Sequence, residues 1–170
     1  MGVSGAGKST IGMRLAERLG AVFQDGDQLH SDLNIAKMAA GEPLDDVERF
    51  PWLEAIGERI AAEKAGDRSA VVACSALKRA YRDVLRTHVP ELFMIFLDGP
   101  PELIGDRISR RVHEFMPTTL LQSQFASLEP LEPDEAGMRV DVSSSPDHIV
   151  DEIVTRLGAV EPVETLSSKP

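Results

Sequence analysis

The sequence predicts an α/β fold in three layers, a parallel sheet with helices on both faces. Three observations predict it. Strand-like and helix-like segments alternate along the 170 residues, the order that right-handed crossovers turn into a parallel sheet. The run Ala70-Val71-Val72-Ala73-Cys74 is continuously apolar, as in a strand buried on both faces; a half-exposed strand would alternate. Finally, Gly2-Val3-Ser4-Gly5-Ala6-Gly7-Lys8-Ser9 fits G-x-x-x-x-G-K-[ST], the phosphate-binding P-loop that joins a strand to a helix. The fold is therefore of the P-loop NTPase type.

The elements follow in order. Ile11, Met13, Leu15 and Leu19 place an apolar stripe on a helix from Ser9 to Leu19, closed by Gly20. Residues 21–24 read as a short strand ending at Asp25-Gly26-Asp27. Ser31 can cap a helix running to Ala40, with Gly41 ending it. Pro51 suits the first turn of the next helix, in which Leu53, Ile56 and Ile60 recur at helical spacing before Gly66. After the strand at 70–74, Ser75 can cap a helix carrying Leu77, Tyr81, Leu85 and Val89. A strand at 92–98 precedes a helix from Pro101 to about Arg111. A helix at 118–128, a strand at 138–142 and a capped helix at 145–158 complete one domain over residues 1–158, with a lid region at about 107–127. Residues 159–170 have no periodicity and read as a disordered tail. The strand that should feed the P-loop is missing, and Met1 resembles its last residue, so the natural protein is expected to begin upstream of Met1.

Composition narrows the function. A formal net charge of −10 argues against a nucleic-acid-binding surface, which needs clustered cations. No apolar run reaches the length of a membrane span, and the N-terminus lacks a signal-peptide pattern; the expected location is the cytoplasm. The lone Cys74 cannot form an intramolecular disulfide, and its apolar surroundings suit a buried structural thiol. The cations are unevenly spread: Lys78, Arg79, Arg82, Arg86, Arg107, Arg110 and Arg111 are 7 of the 18. Such clustering suits a pocket for a small anion, and equally a solvated helix face.

The P-loop turns backbone N–H groups toward phosphate oxygens at a helix N-terminus. Gly5 and Gly7 let the chain approach the phosphates closely, Lys8 brings a charge to the β and γ phosphates, and the Ser9 hydroxyl is a ligand for Mg²⁺. The carboxylates of Asp25-Gly26-Asp27, just past the end of a strand, could take a proton from an attacking hydroxyl, hold Mg²⁺, or serve as turn residues. Lys78, Arg82 and Arg86 line one helical stripe, either an anion site or a solvated face. Arg107, Arg110 and Arg111 suit a helix C-terminus or a lid that closes over the transferred phosphoryl. His30 lies close to Asp27 in sequence; His88 and His148 read as surface positions, and no histidine spacing suggests a metal site.

Four stretches carry a family resemblance: "DGDQLH" at 25–30, "NIAKMAAGEPLDDVERFPWL" at 34–53, "CSALKRAYRDVLR" at 74–86 and "LLQSQFASLEPLE" at 120–132. In order and spacing, from Gly2 to about Leu157, the chain resembles the gluconate kinases, small P-loop kinases of the shikimate-kinase-like group. The resemblance implies transfer of the ATP γ-phosphoryl to the 6-hydroxyl of D-gluconate with Mg²⁺. It implies that Asp27 acts on the sugar hydroxyl, and that Arg49, Lys78 and Arg82 bind gluconate with His30 close by. It places Gln124 on the substrate side, and Gly2 to Thr10 with Arg107 and Arg111 on the nucleotide side, Lys8 and Arg111 sharing in catalysis. It also suggests a homodimer. The family's R-K-G-H-F is here "RRVHEF", so the family histidine aligns with Glu114 and His113 falls one place early. The alternatives are another kinase of this fold, such as a shikimate kinase, and a nucleotide-binding regulator without an acceptor.

Overall fold

The computed structural model describes residues 1–110 and 118–158. Its elements run α1 (Lys8–Leu19), β1 (Val22–Asp25), a 3-10 turn (Gly26–Leu29), α2 (Asp32–Ala39), α3 (Asp46–Ala65), β2 (Ala70–Ala73), α4 (Arg79–His88), β3 (Met94–Asp98), α5 (Pro101–Ser109), α6 (Thr118–Ser127), β4 (Gly137–Asp141) and α7 (Pro146–Gly158). The alternation expected from the sequence is present, and Gly20 closes α1 in the left-handed conformation. Ser31 caps α2 by accepting from the Asn34 N–H.

Two helix starts differ from expectation. Helix α3 begins at Asp46, five residues before Pro51, because Asp45 and Glu48 form a reciprocal capping box there. Two filled N–H donors outweigh the one hydrogen bond lost at Pro51. Helix α4 begins at Arg79 with Lys78 as its N-cap residue, so Ser75 caps nothing. Ala76 is left-handed, with φ 42°, which breaks any helix started at Ser75. The Glu129 carboxylate, distant in sequence, accepts from the Arg79 N–H instead.

The strands pair in parallel as β1 with β2 and β3 with β4. One apolar cluster, including Ile11, Leu15, Leu97, Ile104, Val140 and Ile153, packs on one side of these strands. The other gathers Trp52, Leu53, Ile56, Tyr81, Leu85 and Phe96 from α3, α4 and β3. Both clusters include strand residues, Leu97 and Val140 in one and Phe96 in the other, packed against helices. Burial pushes the Cys74 thiol up to about 11, in keeping with a structural role.

Between the two strand pairs runs a cleft of about 440 Å³, bordered by residues 70–74 of the β2 side and by Met94, Ile95 and Leu97 of β3. Met1 closes one end of it. The Met1 carbonyl accepts from the Leu97 N–H at 2.9 Å, and the Gly2 N–H donates to the Ser75 carbonyl at 3.1 Å. Backbone at Met1 and Gly2 thus joins the two halves. Among the described residues, no helix is long and apolar enough to cross a membrane.

Candidate active site

The loop at 2–8 has the shape its glycines permit. Gly5 and Gly7 adopt φ 79° and 96°, a region costly for any residue with a Cβ. At Gly2 a Cβ would lie 2.5 Å from the Leu97 carbonyl oxygen, so a larger residue there would push the loop off β3. The loop leads straight into α1, whose first-turn N–H groups and dipole favour anions. Lys8 Nζ donates to the Val3 carbonyl at 3.0 Å, across the loop.

Asp25, the last residue of β1, joins this loop to the turn that carries Asp27. Its Oδ2 accepts from the Ser9 hydroxyl at 2.7 Å, and its Oδ1 accepts from the Asp27 N–H at 3.1 Å. One carboxylate therefore sets the distance between the phosphate-binding loop and the exposed Asp27. The charge of Lys8 lowers the pKa of the Cys74 thiol and that of Asp27 raises it.

From Asp27 a row of side chains leads along α3. Trp52 Nε1 donates to the Gly26 carbonyl at 2.7 Å. The His30 ring stacks on Trp52 at 4.2 Å between centroids, and burial, helped by the charge of Arg49, pushes its pKa down to about 4. His30 is neutral at pH 7. Arg49, one turn before Trp52, stands 5.9 Å from the centre of the Tyr81 ring, and Lys78 Nζ stands 5.3 Å from it. Lys78 also donates to Asp46 Oδ1 at 2.8 Å, and the Tyr81 hydroxyl donates to the same oxygen. The structure thus brings Asp27, His30, Arg49 and Lys78 into one region with the P-loop.

Arg82 is different. It is wholly enclosed, held by Glu135 through two hydrogen bonds of 2.6 Å, and it donates to the carbonyls of Ala76, Leu77, Glu129 and Pro130. Its donors are turned into the scaffold, whereas the resemblance implied a residue that reaches gluconate. Arg86 joins the same Glu135. Gln124 meets the P-loop. Its Oε1 accepts from the Ser4 N–H at 2.7 Å, which ties α6 to that loop. Arg107 donates to the Val142 carbonyl at 2.6 Å from α5, whose Ile104 and Ile108 close over Gly5. His88 pairs with Glu54 and is less exposed than expected. Arg111, His113 and Glu114 lie outside the described residues.

Sequence reasoning missed Tyr81 and Glu135, and gave Asp25 no role separate from that of Asp27. Asp25 was visible as the other carboxylate of Asp-Gly-Asp, two positions from Asp27 and opposite a P-loop serine. Tyr81 sits one turn after Lys78 and was read as core, which it also is, at 2% exposure. Nothing local marks Glu135.

A family model described as shikimate kinase matches residues 4–158. The gluconokinase of Gluconobacter oxydans is 41% identical over 159 residues, 94% of this chain and 89% of that protein. A crystal structure of an unliganded sugar kinase from Janibacter sp. HTCC2649 is similar with a TM-score of 0.89 and 46% identity, covering 94% of this chain and 92% of that one. A gluconokinase structure from Sinorhizobium meliloti 1021 has a TM-score of 0.86 at 44% identity, covering 94% and 89%. The match spans nearly the whole of the described chain, P-loop and acceptor side alike, and so the chain belongs to the gluconokinases, within the shikimate kinase family of P-loop kinases.

Proposed function

We propose that the chain transfers the γ-phosphoryl group of ATP to the 6-hydroxyl of D-gluconate, giving 6-phosphogluconate and ADP. The observation that carries this reading is the join made by Asp25, which holds the P-loop serine with one oxygen and the backbone of Asp27 with the other. An acceptor hydroxyl against Asp27 then lies beside the end of a triphosphate seated in the loop. The relatives supply the identity of the acceptor, and the Arg49, Lys78 and Tyr81 group suits its carboxylate.

Each residue has a share in the step. The P-loop N–H groups and Lys8 stabilise charge on the phosphoryl oxygens as it passes between oxygens. Asp27 orients the acceptor hydroxyl and takes its proton as the new P–O bond forms and the bond to the ADP oxygen breaks. Neutral His30 packs on Trp52 and shapes the wall between the two ends of the acceptor. Arg107 and Gln124 hold α5 and α6 against the nucleotide side. Magnesium fits this site, because Ser9 Oγ and the Asp25 carboxylate offer two hard oxygens 2.7 Å apart and this ion completes its shell with water and phosphate oxygens. When bound, it offsets the phosphate charge.

ADP release measured with gluconate, with shikimate and with no acceptor tests the proposal. Turnover is expected with gluconate alone; turnover of shikimate, or equal release without an acceptor, overturns it. Asp27→Asn is expected to lower kcat by about 10²–10⁴-fold while ATP affinity changes little. A large loss of Mg²⁺-dependent ATP affinity instead would assign Asp27 to the metal.

A further inference from the structure

Asp46 is the first residue of α3, yet it does not cap that helix. The cap is Asp45, which accepts from the Glu48 N–H at 2.9 Å while Glu48 reaches back to the Asp45 N–H. The Asp46 carboxylate turns instead to the acceptor side. It accepts from Lys78 with both oxygens, at 2.8 and 3.1 Å, and from the Tyr81 hydroxyl. These hydrogen bonds, first from Lys78 and then from Tyr81, hold its pKa below the usual carboxylate range, and the charge of Arg49 adds to the effect.

The two donors are unequal partners. Tyr81 is anchored, at 2% exposure, whereas the Asp46 side chain is 51% exposed and Lys78 33%. A carboxylate on a half-exposed side chain, held by a fixed hydroxyl and an ammonium, can leave by a rotamer change alone. The anion it resembles is one that arrives with a carboxylate of its own.

We propose that Asp46 is an internal stand-in for the substrate carboxylate: it occupies the Lys78 and Tyr81 donors and is displaced when a carboxylate-bearing acceptor binds. This rests on the function proposed above. The stand-in keeps the donors aligned and neutralised, and it sets a threshold. A small anion offers Lys78 and Tyr81 nothing that Asp46 does not already provide. An acceptor that also reaches Asp27 gains further contacts and wins the exchange. Asp46 therefore weakens the binding of gluconate and of simple carboxylates by the same factor, and a lone carboxylate, with no other contact to offset that cost, is left too weak to occupy the site.

The test compares wild type with Asp46→Asn and Asp46→Ala in steady-state kinetics and in binding. Asparagine keeps the shape of the helix start, and alanine removes the acceptor entirely. The KM for gluconate is expected to fall about three- to tenfold in both variants, the scale of one partly exposed charged pair and its hydrogen bond, with the KM for ATP unchanged. Acetate, a carboxylate with no other contact, is expected to become a competitive inhibitor against gluconate at concentrations that leave wild type unaffected. A gluconate KM that rises or stays level, with acetate no more inhibitory, overturns the proposal and makes Asp46 an aligning group. If wild type does not turn over gluconate, the functional reading fails. Acetate titration followed by fluorescence of Trp52, the sole tryptophan, then still decides the role of Asp46: tighter acetate binding in the variants supports displacement, and equal binding refutes it.

Discussion

Lys78 and Arg82 stand one helical turn apart at the start of α4, and each forms an ion pair with a carboxylate from elsewhere in the fold. The Arg82–Glu135 pair is sealed, with both side chains at 0% exposure, and its remaining donors bind backbone carbonyls. The Lys78–Asp46 pair lies open at the mouth of the acceptor region. The contrast separates two uses of charge. A buried, saturated pair fixes the chain, because taking away either partner leaves an unmet charge in the interior. An open pair adds little to stability and keeps its charge available for exchange. The two are linked in space. Arg82 donates to the carbonyls of Ala76 and Leu77, the residues that deliver Lys78 to the site, so the sealed pair holds the open one in place.

The largest expected effect comes from breaking the sealed pair. Arg82→Ala should cost about 3–5 kcal/mol of unfolding free energy, read by urea denaturation, and a loss below about 1 kcal/mol would show that Arg82 is no scaffold residue. Acid should act through the same pair. Arg82 holds the Glu135 carboxyl down at about 2 from an ordinary 4.5. A depressed carboxyl contributes stability that is present above pH 4.5 and is lost as pH falls from 4.5 toward 2. The loss should be about 3 kcal/mol in wild type and absent in Glu135→Gln.

His30 should act in a higher window. Its pKa of about 4 lies below the ordinary 6.5, so as pH falls the unfolded chain takes up the proton first. Stability should decline between pH 6.5 and 4 by about 2–3 kcal/mol, and His30→Gln should flatten that slope. The smallest change in stability is expected for Lys78→Met, within about 1 kcal/mol, while the KM for gluconate rises tenfold or more. A Lys78 variant that unfolds easily yet binds gluconate normally would reverse the contrast between the two cations.

The framework of the molecule was legible in the residues because local chemistry decides it. Glycines at positive φ, the Ser31 cap and the apolar run of β2 each act over a few positions. The helix starts at Asp46 and Arg79 were harder. One depends on a reciprocal cap hidden in a run of acidic residues, the other on Glu129, fifty positions away. The site divides in the same way. The P-loop and Asp27 are local motifs, and Lys78 pairs with Asp46 beside the Tyr81 ring. Arg82 shares its helical stripe and its spacing, and only Glu135, brought in from beyond α6, reveals that this cation faces inward. The contact of Gln124 with the P-loop was hidden for the same reason, since its partner Ser4 is 120 residues distant.

The central claim is that Asp25 joins the two sides of the site, with Asp27 on the acceptor hydroxyl and Lys78 on the acceptor carboxylate. A crystal structure with Mg²⁺, a non-hydrolysable ATP analogue and gluconate tests it most directly. The expected result places the gluconate 6-hydroxyl about 2.6–3.2 Å from the Asp27 carboxylate, the gluconate carboxylate on Lys78 and Tyr81, Asp46 turned away, and Arg82 still bound to Glu135. Gluconate bound with its carboxylate against Arg82, or with its 6-hydroxyl remote from Asp27, would contradict the account.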